Sequence, residues 1–286
     1  IKSSSSHKTQ EPESGFLYIV GTPIGNLGDL SFRAINILKN VSLIACEDTR
    51  QTRKIMTKYD IRNNLISFNK HNSFNKIPTL LNDLKTGKSL ALVSDAGMPS
   101  ICDPGEDLVR EVRANGLNII CIPGPCAAIT ALVSSGLPSS QFVFEGFLPK
   151  KTSERAKIMM EISNNTKTSI IFESPHRLKK LLKELKHFMG GEREIRVSRE
   201  LTKKYEQHIG DNIFQVIDFF KNKEVVGEFT IVIKGLTNFK KNSEFNIFEI
   251  KKDLDYLTKE GLSLSAASKY LAKKNNLPKS RIYNLY

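Results

Sequence analysis

The residues of this chain best suited to chemistry stand in short polar clusters, several of them directly after an apolar run. Glu47-Asp48-Thr49-Arg50 follows Leu43–Cys46, and Glu173-Ser174-Pro175-His176-Arg177 follows Ser169–Phe172. Lys150-Lys151 and Arg199-Glu200, with Lys203 close behind, form two more. Carboxylates beside ammonium and guanidinium groups suit removal of a proton from a weak nucleophile and stabilisation of the oxyanion left behind. Ser174-Pro175 reads equally well as an ordinary helix start. Two loops are of another kind. Ser94-Asp95-Ala96-Gly97-Met98-Pro99 follows Leu90–Val93, and Pro123-Gly124-Pro125-Cys126-Ala127 follows Asn118–Ile122. Their glycines and prolines bare the backbone, as a loop lying against a small ligand requires. One such loop is no more than a tight turn. Two, with Gly21-Thr22-Pro23-Ile24-Gly25-Asn26 as a third, favour a cofactor site.

Other chemistries lack their parts. Gly87-Lys88-Ser89 has the end of a phosphate loop, but Asn82 stands where its first glycine belongs and a strand follows. Gly21, Gly25 and Gly28 do not have dinucleotide-fingerprint spacing. The five histidines are scattered, and no Ser-His-Asp set or dedicated metal site emerges. Cys46, Cys102, Cys121 and Cys126 form no CxxC pair and read as buried free thiols of a reducing compartment.

The elements that would position these clusters alternate strand and helix. Strands are expected at 16–20, 43–46, 65–68, 90–93 and 118–122, with helical periodicity through Leu30, Ala34, Ile37 and Leu38 and helices near 73–85, 104–114 and 126–135. That is one parallel α/β unit, with its ligand-binding loops at the carboxyl ends of the strands. Gly136–Ser140 breaks the pattern. A second unit then carries strands at 142–144, 168–172, 194–198, 205–209 and 229–233, separated by helices near 153–163, 175–188 and 212–221. Its shorter, more polar strands suggest a mixed sheet with an antiparallel edge. The expected organisation is a disordered tail over 1–15, an N-terminal α/β domain over 16–137, a second α/β domain over 138–235, and a linker with a basic helical domain over 236–286. Nothing in the Ser-rich tail reads as a secretory signal. No apolar stretch approaches the roughly 18 to 20 residues that span a bilayer, so no membrane partner is expected.

Net charge is +13 and unevenly spread: +3 over residues 1–150, +5 over 151–235 and +5 over the short remainder. An excess outside the cofactor loops points to a polyanion such as nucleic acid. The last segment reads as three short helices, 247–259, 264–274 and 278–285, with Lys273, Lys274, Lys279 and Arg281 gathered as in a helix-turn-helix. Phosphate contact and plain packing on the core are both open readings of it.

Taken together the motifs become recognisable. Gly21–Leu27, Glu47–Arg50, Ser94–Pro99, Asp103-Pro104-Gly105, Pro123–Ala128, Glu145–Pro149, Glu173–Arg177 and Arg199–Lys203 closely resemble one family, in order from about residue 16 to 235. It is the ribosomal RNA branch of the tetrapyrrole-methylase-like, class III S-adenosylmethionine methyltransferases; Met98 departs from the Thr more usual there. The resemblance implies two α/β domains with the cofactor cleft between them plus a small C-terminal helical extension. It also implies a homodimer and 2′-O-methylation of a cytidine ribose of 16S ribosomal RNA at the decoding centre of the small subunit. Carried over motif by motif, S-adenosylmethionine would touch Pro23, Asp95, Ala96, Gly97, Gly124, Pro125, Cys126 and Ala127, with Phe172, Gly227 and Glu228 from the second domain. Glu47, Asp48, Arg50 and Glu200 are the catalytic candidates, with no metal. Lys150, Lys151, Arg177, Lys203, Lys273, Lys274, Lys279 and Arg281 are the RNA-binding candidates. The expected compartment is the cytoplasm, with a plastid left open. The alternatives are a tetrapyrrole-precursor C-methyltransferase and a non-catalytic RNA-binding or assembly protein.

Overall fold

The computed structural model describes residues 11–236, 247–275 and 277–286. The linker read over 237–246 and the first ten residues of the expected tail lie outside the described residues. Glu11–Gly15 are held rather than loose: Glu11 makes a two-pronged ion pair with Arg33 (2.5 and 2.8 Å), and Gly15 N–H donates to Gly87 O (3.1 Å). Contacts gather the chain into two compact units. One runs to Thr130 and includes Thr202–Lys204; the other takes Ala131–Leu201 and Tyr205–Tyr286.

The first unit is a five-stranded parallel sheet in the order β3-β2-β4-β1-β5. Its strands are β1 (Phe16–Val20), β2 (Leu43–Cys46), β3 (Leu65–Ser67), β4 (Leu90–Val93) and β5 (Asn118–Ile122). Apolar runs such as Leu90–Val93 are buried along their whole length, as parallel strands covered on both faces must be. Helices α1 (Phe32–Asn40) and α2 (Thr49–Lys58) cover one face through Ala34, Ile37, Leu38, Ile55 and Met56. Helices α3 (Ser73–Lys85) and α4 (Glu106–Ala114) cover the other through Ile77, Leu80, Leu84, Leu108 and Val112. Helix α2 was not expected. Its only buried residues are Thr52, Ile55 and Met56, too few apolar positions to mark a helix.

The second unit, entered through α5 (Ala127–Ser135), holds the order β6-β7-β10-β8-β9. These strands are β6 (Phe142–Phe147), β7 (Thr168–Glu173), β8 (Ile195–Arg199), β9 (Gln207–Ile209) and β10 (Phe229–Ile233). The sheet is mixed and has the expected antiparallel edge, β9 on β8; three of its four pairings are antiparallel, and β6–β7, at the other edge, is the parallel pair. The parallel pair has a helix to make its crossover, α6 (Thr152–Asn164), whereas the short β8–β9 link can only turn back. β10 is central and wholly buried.

Helices α7 (Pro175–Met189), α8 (Ile213–Phe220), α9 (Ile247–Lys259), α10 (Leu264–Asn275) and α11 (Lys279–Tyr283) complete the unit. Ile250, Leu254, Leu257, Tyr270, Leu271 and Ile282 join the same core as Met159, Ile162 and Phe188. The helical extension is thus packed into the second core. Ser263 caps α10 by accepting from Ala266 N–H (3.3 Å). The thiols differ from expectation: all four are free, but only Cys46 is buried, while Cys102 and Cys121 are exposed. Cys121 lies on β5, an edge strand of the sheet.

Candidate functional site

In the first unit the expected cofactor loops all leave the carboxyl edge of the sheet. The exits of β1 and β4 are joined by an antiparallel bridge: Thr22 N–H donates to Gly97 O (2.9 Å), and Gly97 N–H to Thr22 O (3.1 Å). The Thr22 hydroxyl adds bonds to the carbonyls of Ser94 (3.2 Å) and Gly97 (3.3 Å). The exits of β1 and β5 meet backbone on backbone. A Cβ on Gly21 would lie 2.7 Å from Gly124 Cα, and one on Gly124 would lie 2.8 Å from Gly21 Cα. Gly97 has φ +82°, a conformation strained for any other residue. The result is a cradle of glycine backbone. Asp95 and Ala96 are exposed on it, Gly124, Pro125, Cys126 and Ala127 are half-buried, and Pro23 and Gly97 are buried within it. Backbone amides and carbonyls with one carboxylate are a donor set that fits a nucleoside bearing a polar tail.

The candidate carboxylates separate by environment. Asp48 caps α2, accepting from Arg50 N–H (2.8 Å), and it binds the Arg50 guanidinium at 2.6 Å. Those bonds lower its pKa to about 2. It is therefore a poor base, and Arg50 is held by it. Glu47 moves the other way: burial raises its pKa, and the charges of Asp103 and Asp95 add to the rise. Asp95 is also raised, chiefly by desolvation, while its Oδ1 accepts from Asp48 N–H (2.9 Å) and so ties the β2 and β4 exits together. Asp103, absent from the expected site, belongs to this group. Burial raises its pKa, and a hydrogen bond from Ser94 opposes the rise. Its sequence signals were its place in the loop after β4 and its membership of the Asp103-Pro104-Gly105 motif.

Lys203 comes to the same unit from far along the chain. Its stem crosses Gly25, where a Cβ would lie 2.5 Å from Lys203 Cγ and 2.9 Å from Thr202 Oγ1. The backbone there is unusual, with φ +67° at the β-branched Thr202. No local pattern in the sequence links positions 25 and 203.

In the second unit the structure brings Phe172, Glu200, Gly227 and Glu228 to one end of the sheet. Phe172 pairs with Thr230, and Phe229 with Arg199. Phe172 meets Phe144 and Phe147 edge-on, at centroid distances of 5.0 and 5.6 Å. Glu200 accepts from Glu228 N–H (2.9 Å), and a Cβ on Gly227 (φ +98°) would strike the Glu200 side chain at 2.7 Å. Arg177 is turned inward: it pairs with the fully buried Glu173 (3.3 Å) and donates to Leu148 O (2.8 Å). Glu173 also binds Arg155 (3.1 Å), which binds Glu184 (2.7 Å). The Glu173–Arg177 cluster is therefore largely structural.

The remaining cations are dispersed. Lys150 is exposed, and Lys151 pairs with Glu154 (3.0 Å). Lys274 pairs with Asp253 (3.1 Å), and Lys279 donates to Ser265 (2.7 Å). Lys273 faces an open groove between α6 and α10 together with Lys157 and Lys269. Arg281 is exposed on α11.

Comparison with known proteins gives this arrangement its class. The family described as Tetrapyrrole (Corrin/Porphyrin) Methylases matches residues 16–216. A solved uroporphyrin-III C-methyltransferase from Thermus thermophilus, complexed with S-adenosylhomocysteine, aligns with a TM-score of 0.52 at 16% identity, covering 76% of this chain and 96% of its own. The chain belongs to the tetrapyrrole methylases, S-adenosylmethionine-dependent methyltransferases of this two-sheet fold. Within that family, relatives similar along nearly the whole chain share one name. A ribosomal RNA small subunit methyltransferase I from Synechocystis is 42% identical over 95% of this chain and 97% of the relative. Its namesake from Bacillus subtilis is 40% identical over 96% and 94%.

Proposed function

We propose that this methyltransferase acts on ribosomal RNA, transferring a methyl group to the 2′-oxygen of one cytidine of 16S RNA at the decoding centre of the small subunit. The observation carrying this reading is the similarity of about 40%, nearly end to end, to proteins named as small-subunit ribosomal RNA methyltransferases. The net charge of +13 is consistent with an RNA substrate. On this reading the chain works in the cytoplasm and as a homodimer.

S-adenosylmethionine, when bound, supplies a methyl group on a positively charged sulfur, open to direct displacement. The glycine cradle around Gly21, Gly97 and Gly124, with Asp95 and Ala96, would hold it in the first unit. Alignment of the ribose oxygen is the main catalytic resource, since orientation alone contributes roughly 7 to 11 kcal/mol. A ribose hydroxyl is a weak nucleophile until its proton starts to leave, so a base is needed. Of the adjacent pair, Glu47 suits that role better than Asp48, because burial raises its pKa while Arg50 lowers that of Asp48. Glu200 is the second candidate, and Lys203, whose stem crosses Gly25, would steady the developing oxyanion or a phosphate.

The test is transfer of tritiated methyl from S-adenosylmethionine to small subunits lacking the modification, mapped by nuclease-resistant 2′-O-methyl dinucleotides. Label in one ribose of 16S RNA is expected. Cofactor binding without label in RNA would overturn the assignment and turn attention to tetrapyrrole acceptors. Salt-sensitive RNA binding with no cofactor affinity would instead indicate a non-catalytic assembly protein.

A further inference from the structure

Phe32 and Phe74 are 93% and 87% exposed, the two highest values among the exposed large apolar side chains of the described residues. Both belong to the first unit, and both stand in the first turn of a helix that follows a parallel strand: Phe32 opens α1 after β1, and Phe74 is the second residue of α3 after β3. They therefore lie at the carboxyl edge of the sheet, with the cofactor loops. Strands β2 and β4 run between β1 and β3, which places β1 and β3 three spacings of about 4.8 Å apart. Helix α1 packs on one face of the sheet and α3 on the other. The two residues thus open helices on opposite faces of the sheet, at the edge from which the loops carrying Glu47, Asp48, Arg50, Asp95 and Ala96 leave.

Charge near the rings favours one kind of occupant. Helix α2 shares its sheet face with α1 and presents Arg50, Arg53, Lys54 and Lys58 to solvent, with no acidic residue in the helix. Tyr59, at its end, donates through its hydroxyl to Leu27 O and so ties α2 to the turn leading to Phe32. Lys70 and His71 are exposed in the turn before Phe74. The nearby acids outside the loops are Asp29 in the turn before Phe32, Glu11, which pairs with Arg33 next to Phe32, and Asp60, which pairs with Arg62. Exposed aromatic faces amid cations match a strand whose bases stack and whose phosphates are neutralised.

Resting on the RNA reading above, we propose that Phe32 and Phe74 are stacking platforms for unpaired bases on either side of the target nucleotide. The site would then take its RNA as an unstacked single strand laid across the sheet edge, with the target ribose over the loops between the rings.

The test uses the full chain with Phe32→Ala, Phe74→Ala and the double variant. Two substrates are compared: small subunits lacking the modification, and a single-stranded RNA oligonucleotide carrying 2-aminopurine. Each single change should raise the KM for subunits about 5- to 150-fold, the range that loss of one base–aromatic stack gives. Fluorescence quenching of the 2-aminopurine should fall in step, while S-adenosylmethionine affinity and the salt dependence of binding stay unchanged. Phe32→Trp should preserve the KM and Phe32→Leu should not, which separates stacking from simple apolar contact. Lys54→Glu should instead lower the salt dependence. An unchanged KM and unchanged quenching in the double variant would overturn the proposal while leaving the RNA reading intact. So would a variant that dissociates the chain from a second copy in sedimentation, since the rings would then belong to a protein interface. If the wild-type chain transfers no methyl group to RNA at all, the substrate reading fails and this inference falls with it.

Discussion

At the residue scale, function turns on neighbours that the sequence does not show. Glu47 and Asp48 are adjacent in the chain and equivalent in composition, yet their pKa values move in opposite directions. A carboxylate base works only when deprotonated. A raised pKa therefore moves the loss of activity on acidification to a pH above the ordinary carboxylate value, and a lowered one moves it below. Glu47→Gln is expected to reduce kcat by about 100-fold or more and to remove the acid limb of the kcat–pH profile. Asp48→Asn should leave that limb in place. Single-turnover methyl transfer between pH 4 and 9 checks both outcomes. The position of these residues at a strand end was legible, because an apolar run precedes them. Their division of roles was not, because it depends on the burial of Glu47 and on the Arg50 guanidinium turning back onto Asp48, with Asp95 and Asp103 from another strand's loop adding to the rise at Glu47.

At the element scale, the loops were readable from Gly and Pro, and the structure adds the reason for each glycine. Gly124→Ala would press a methyl group against the Gly21 backbone, which has no flexible end to yield. At least a tenfold loss of S-adenosylmethionine affinity is expected by calorimetry, with near-native circular dichroism. The Glu173 cluster reads differently now. Its charges looked like a site from sequence because nothing there reveals Arg155, a buried cation contributed by α6. Glu173→Gln removes one of the two carboxylate partners of Arg155, which keeps Glu184, and should destabilise the fold by about 1.5 to 3 kcal/mol, measured by urea unfolding. Helix α2 and the strand order of the second sheet were missed for related reasons. The helix has few apolar positions. In the sheet, periodicity marks a strand such as β10 but cannot say that it lies at the centre between β7 and β8.

At the scale of the whole molecule, the basic C-terminal helices are structural before they are anything else. Ile250, Leu254, Leu257 and Leu271 are buried with Met159 and Phe188, so a chain ending at residue 236 would expose that core. Such a truncation should bind an apolar dye and lose cooperative unfolding, whereas charge reversal at the exposed Lys273 should leave stability within about 0.5 kcal/mol. If the helices also touch RNA, that reversal should reduce the salt dependence of binding by about one counterion. Two α/β units were legible from alternating periodicity. The inclusion of Thr202–Lys204 in the first unit was not.

That small inclusion has a consequence for how the molecule comes into being. The first sheet has all five of its strands once Ile122 has been made, and the unit's main stretch of chain ends at Thr130. The lysine that lies across Gly25 is synthesised only about 70 residues later, a delay of roughly 4 to 14 s at 5 to 20 residues per second. During that interval the nascent chain would carry a folded sheet whose loop cluster still lacks Lys203. Competence would then arrive with the last strands of the second unit, so an interrupted translation product could fold its first sheet and still present an incomplete site.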